Sequence, residues 1–90
     1  MTRLERLERE LLERPRTFRF ADFERIMRHR GFEVEVGGAT SGSRIRFFRP
    51  RDARHYSMHV PHPSREMTGG AVRFAAEVVM RLREDDDEEE

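Results

Sequence analysis

The stretch Thr40–Pro63 reads T-S-G-S-R-I-R-F-F-R-P-R-D-A-R-H-Y-S-M-H-V-P-H-P. It divides at Pro50–Ala53 into two arms of alternating polarity. In the first, Ser43–Arg49, Ile45 and Phe47 share one side while Arg44, Arg46 and Phe48 share the other. In the second, His55–Val60, Tyr56, Met58 and Val60 alternate with His55, Ser57 and His59. Alternation with period two is the pattern of a half-buried strand, so the stretch predicts two antiparallel strands joined by a reversal. If both apolar sets face the core, Arg44, Arg46 and His59 rise from the same sheet face. Pro61 and Pro63 bracket His62 and enforce a stiff, mostly extended loop.

Upstream, Phe32, Val34 and Val36 alternate with Glu33 and Glu35, which predicts a strand before the other two. The Gly37–Gly42 segment, G-G-A-T-S-G, is a hairpin loop; no Gly-Lys-Ser/Thr follows it, so it is not a phosphate-binding loop. Ala21–Arg30 is a helix with Phe23, Ile26 and Met27 inward, closed by Gly31 as its left-handed residue. Thr17–Phe20 is a short link. Before it, Leu4, Leu7, Leu11 and Leu12 stripe a helix over Thr2–Arg14, with Thr2 as N-cap and Pro15 as terminator. Glu5/Arg9, Arg6/Glu10 and Glu10/Arg14 are candidate i,i+4 pairs on its outer face.

Downstream, Thr68 precedes a helix of about 14 residues ending near Leu82, with Val72, Ala75, Val79 and Leu82 along one face. Its apolar surface is wide enough to suit burial or a partner chain. Glu84–Glu90 is an unbroken acidic run whose charge opposes the helix dipole, so the helix is expected to fray near Glu84 and the run to be disordered. The expected fold is α+β: a two-layer α-β-β-β-α domain, one sheet face open, with an additional N-terminal helix. The expected divisions are 1–16 for the first helix and link, 17–83 for the domain and 84–90 for the tail.

Ninety residues allow one small core. The formal charge of zero conceals an asymmetry: outside the acidic run, eighteen arginines face eleven acids, leaving the body at +7. All the basic side chains other than histidine are arginine, whose planar fork suits bidentate phosphate contacts. There is no Cys, which excludes disulfides and thiolate chemistry, and no apolar run approaches a membrane span, so cytoplasmic localisation and no membrane are expected.

Arg44, Arg46, Arg49, Arg51 and Arg54 fall within eleven residues, offset by Asp52 alone. With Ser43 they form a candidate surface for RNA phosphates. Metal-free RNA cleavage needs a base for the 2′-hydroxyl, an acid for the leaving oxygen and cations around the phosphate. His59 and His62, three apart across a rigid turn beside Arg44, suit that division of labour. His55 is expected to have no role, and His29 to be either structural or exposed on the second helix. Zinc would lack ligands, and no cofactor is expected.

These pieces, taken in order, resemble the HicA family of toxins over roughly Phe18–Leu82. The matching segments are F-x-D-F-x-x-I-M-x-x-x-G-F (Phe20–Phe32), G-S-R-I-R-F (Gly42–Phe47), M-H-V-P-H-P (Met58–Pro63) and A-V-R-F-A-A-E-V-V-M-R-L (Ala71–Leu82). The resemblance implies a double-stranded-RNA-binding-like fold, an mRNA-degrading endoribonuclease of a type II toxin–antitoxin pair, and a HicB-type antitoxin as partner. Many members carry histidine where this chain has Arg44, which implies either that His59 and His62 carry the chemistry or that the chain binds RNA without cutting it. A third reading is a protein-interaction domain that forms a homo-oligomer through its terminal helices. The acidic tail, under any of these, is a candidate to fold back on the basic face and blunt nonspecific RNA binding.

Overall fold

The computed structural model describes residues 2–36, 44–61 and 64–88. The element order is α1 (Arg3–Leu12), β1 (Thr17–Arg19), α2 (Phe20–His29), β2 (Glu33–Val36), β3 (Arg44–Arg49), β4 (Arg54–His59), β5 (Glu66–Thr68) and α3 (Gly69–Glu88). β2, β3 and β4 form an antiparallel meander in that spatial order, and β1 pairs with β5 in a second, two-stranded sheet. The architecture is the expected two-layer α-β-β-β-α domain carrying an extra N-terminal helix.

Alternation sets the layers. Ile45 and Phe47 of β3 are buried, whereas Arg44 and Arg46 are exposed. Phe47 packs against Phe20 and Phe23 of α2, with ring centroids 6.3 Å and 5.4 Å away. Burying one such ring is worth about 1.5–3 kcal/mol. On the helical side, Val72, Ala75, Val79 and Leu82 of α3 join Leu7 and Leu11 of α1 in the same core. The apolar surfaces of both terminal helices are thus largely satisfied within the chain. Thr2 caps α1 by accepting a hydrogen bond from the Glu5 backbone N–H, and Gly31 closes α2 at a φ of +95°.

Three departures from the sequence reading are instructive. Thr17–Arg19 is a strand rather than a link: Phe18 and Met67 are buried in the β1–β5 pair, and Arg19 lies opposite Glu66. Three-residue strands carry too little periodicity to be read alone, and this partner lies far along the chain. The i,i+4 pairs expected along α1 make no ion pair among the described residues. Glu8 instead turns inward, buried, and binds Arg30 at 2.7 and 2.9 Å.

The third departure is the largest. α3 does not fray at Glu84 but continues to Glu88, so the expected disordered tail is corrected over its first five residues. The unfavourable dipole term at an exposed helix end is about 0.3–1 kcal/mol, small beside a set of partly buried ion pairs. Asp86 lies four residues beyond the buried Leu82, on the same helix face, and that position turns its carboxylate into the arginines below. Glu89 and Glu90 lie outside the described residues, as does the Gly37–Gly42 loop.

Candidate functional site

The five clustered arginines separate into two groups. Arg49 lies on the core-facing side of β3 and is 2% exposed. Its guanidinium donates to Asp52 (3.2 and 2.9 Å), to Asp86 (3.1 and 3.2 Å) and to the Arg30 carbonyl (3.1 Å). It also lies 4.8 Å from the centre of the Phe32 ring. Arg51 donates to Asp86 at 2.9 Å and Arg54 to Asp85 at 2.8 Å. Arg49, Arg51 and Arg54, expected as RNA contacts, are instead tied to the C-terminal turns of α3 and to the β3–β4 reversal. Arg49 is corrected outright, because a buried side chain cannot reach an external phosphate. Among the described residues, the acids Asp85 and Asp86 reach the reversal end of the cluster from a helical extension, and none pairs with Arg44.

These pairs shape the acid titration of the domain. A hydrogen bond from Arg49 is the main reason that the Asp52 carboxyl is held down to about 2 from an ordinary 3.8. Burial pushes the Asp86 carboxyl up, but hydrogen bonds from Arg49 and Arg30 outweigh it and leave the pKa lowered. Because both folded-state values lie below the unfolded ones, the stabilisation is complete above the ordinary carboxylate value and is lost as the pH falls from there through the folded-state values. Thermal melts should therefore show the melting temperature dropping between about 3.8 and about 2, and Asp52→Asn should flatten that drop. A profile identical in the variant would remove Asp52 as a source.

A cleft of about 860 Å³ lies along this seam, lined among others by Arg9, Arg30, Arg49, Arg83, Glu8 and Asp86. Its charges mostly bind one another, so it reads as the salt-bridged joint between helices and sheet. The open sheet face is different. Its side chains fall into columns: Glu33 and Glu35 on β2, Arg44, Arg46 and Phe48 on β3, and His55, Ser57 and His59 on β4. The register places Arg44 opposite His59, Arg46 between Glu35 and Ser57, and Phe48 between Glu33 and His55. Side chains directly opposite on neighbouring strands have Cβ atoms about 4.5–5.5 Å apart, so Arg44 and His59 can engage one phosphate together.

Arg44 and Arg46, equivalent in the sequence, are not equivalent in space. Arg46 donates from Nε and Nη2 to one oxygen of Glu35, at 2.9 and 2.6 Å. Arg44 makes no ion pair among the described residues. Beside them a recess of about 290 Å³ is lined by Glu35, Val36, Arg44, Ile45, Arg46 and Ser57. Of the remaining expected site residues, Ser43 and His62 lie outside the described residues. His59, exposed at the end of β4, is where the alternation put it.

Among the described residues no group of three or more His, Cys, Asp or Glu side chains is arranged to hold a metal ion, and no helix is long and apolar enough to cross a membrane. Comparison with protein-family models, with curated proteins and with solved structures finds no match.

Proposed function

We propose that this chain is an RNA-acting toxin of the HicA type, cutting mRNA without a metal and restrained by a HicB-type antitoxin. The observation that carries this reading is the Arg44–His59 pair on the open sheet face, a cation with no carboxylate partner among the described residues beside a proton carrier. In the reaction, His59 takes the proton of a ribose 2′-hydroxyl and the 2′-oxygen attacks the adjacent phosphorus. The bond from phosphorus to the 5′-oxygen breaks, leaving a 2′,3′-cyclic phosphate on one product. Arg44 offsets the negative charge that builds on the phosphoryl oxygens. The leaving 5′-oxygen takes a proton from a second acid, a role for which the sequence H-V-P-H-P offers His62.

Inducible expression, scored by growth arrest and transcript loss, tests this. Positioned proton transfer contributes about 10²–10⁴-fold, so His59→Ala should abolish arrest while the protein stays folded. Arrest that persists in the variant would sink the assignment of His59. One observation favours a second reading: Arg44 cannot give up its proton, so the pair contains one titratable group where cleavage wants two. A catalytically silent RNA-binding module would cause no arrest yet retain RNA in a salt-sensitive shift assay.

A further inference from the structure

We infer that Phe48 and Arg46 form a stacking platform for an unpaired nucleobase, which places single-stranded RNA on the open sheet face. The inference rests on the RNA reading above and goes beyond it by assigning a residue and a strandedness. Phe48 is the only phenylalanine or tyrosine on that face among the described residues, between Glu33 and His55 in the register. It is half-buried but takes no part in the hydrophobic core, which the other phenylalanines all join or pack against. A phenylalanine at this site contributes little to packing and presents its ring outward.

Arg46 completes the platform. Its guanidinium carbon lies 5.3 Å from the centre of the Phe48 ring, and Glu35 holds it there with two hydrogen bonds. A carboxylate so engaged reduces the value of Arg46 as a phosphate contact but fixes the plane of its guanidinium. Aromatic rings and guanidinium planes are the surfaces on which proteins stack splayed-out bases, whereas the bases of a duplex are already stacked on one another. Arg44 lies four residues before Phe48 on the same strand, roughly 13 Å away, a distance that a few nucleotides span. The phosphate held by Arg44 and His59 and the base stacked on Phe48 thus belong to one short single-stranded segment. The acidic β2 column bounds this path, so the phosphates run along the β3–β4 side.

The chain contains no tryptophan, so Phe48→Trp installs a single indole reporter at the platform. Titration uses a single-stranded RNA of roughly 12 nucleotides, the same strand annealed to its complement, and inorganic polyphosphate. Quenching by the single strand, and by neither of the other two, is the expected result. Phe48→Ala should weaken anisotropy-measured binding of the single strand about tenfold, with an unchanged circular dichroism spectrum. If RNA binds but the indole signal stays constant, or responds equally to duplex or polyphosphate, the platform is overturned while the RNA reading stands. If the wild-type chain binds none of the RNAs, both fall.

Discussion

Asp86→Ala is expected to destabilise the fold by about 3 kcal/mol, the magnitude typical of removing one partner from a buried ion-pair set. Asp86 is the common acceptor for Arg30, Arg49 and Arg51. Its loss leaves Arg49, 2% exposed, with Asp52 and one backbone carbonyl for compensation. At roughly 4–8 °C per kcal/mol for a domain this small, the melting temperature should fall by about 12–24 °C. Asp85→Ala is the internal comparison: Asp85 is half-exposed and pairs with Arg54 at the surface, so its removal should cost no more than about 1 kcal/mol. Ending the chain after Glu84 should reproduce the Asp86 effect, whereas ending it after Glu88 retains every ion pair described. Urea titrations of these variants give the comparison directly. Equal stability of the wild type and Asp86→Ala would reduce the C-terminal turns to a surface appendage.

For a wild type that holds RNA without cutting it, Arg44→His should raise RNA cleavage by about 10²-fold or more, since it sets a second titratable ring directly across the β3–β4 pair from His59. One imidazole then serves as base and the other as acid. The same change removes one permanent cation, so the dependence of log affinity on log salt should become shallower by about 0.7. Initial rates on a labelled single strand across pH, with binding measured at several salt concentrations, read both effects. A variant that gains no cleavage, yet shows the shallower salt dependence, would assign position 44 to phosphate binding alone.

Much of the sheet was legible because its signals are local. Ile45 and Phe47 alternating with Arg44 and Arg46 place themselves on opposite faces whatever the rest of the chain does, and the same argument holds for His59. The helix ends marked by Thr2 and Gly31 are local in the same sense. The extension of α3 had a signal that composition masked: the spacing Val79, Leu82, Asp86 continues the buried stripe. An acidic run reads as solvated when the charges that would meet it are out of view. Phe48 was visible beside Arg44 and Arg46, but its separation from the core became evident only after the packing was known.

Period-two alternation is a property of neighbouring residues, and it was enough to define the three strands of the meander, its exposed face and the presence of Arg44 and His59 on it. The allocation of the arginines is not such a property. Any guanidinium can pair with any carboxylate, and nothing local selects Asp86 for Arg49 and Arg51, or Glu35 for Arg46. That choice came from the packing of α3 against the sheet and from the β2–β3 register, which bring together charges remote in sequence. A cluster of five apparent RNA contacts thereby became a buried salt-bridge joint at one end and, at the other, a face on which Arg44 stands beside His59.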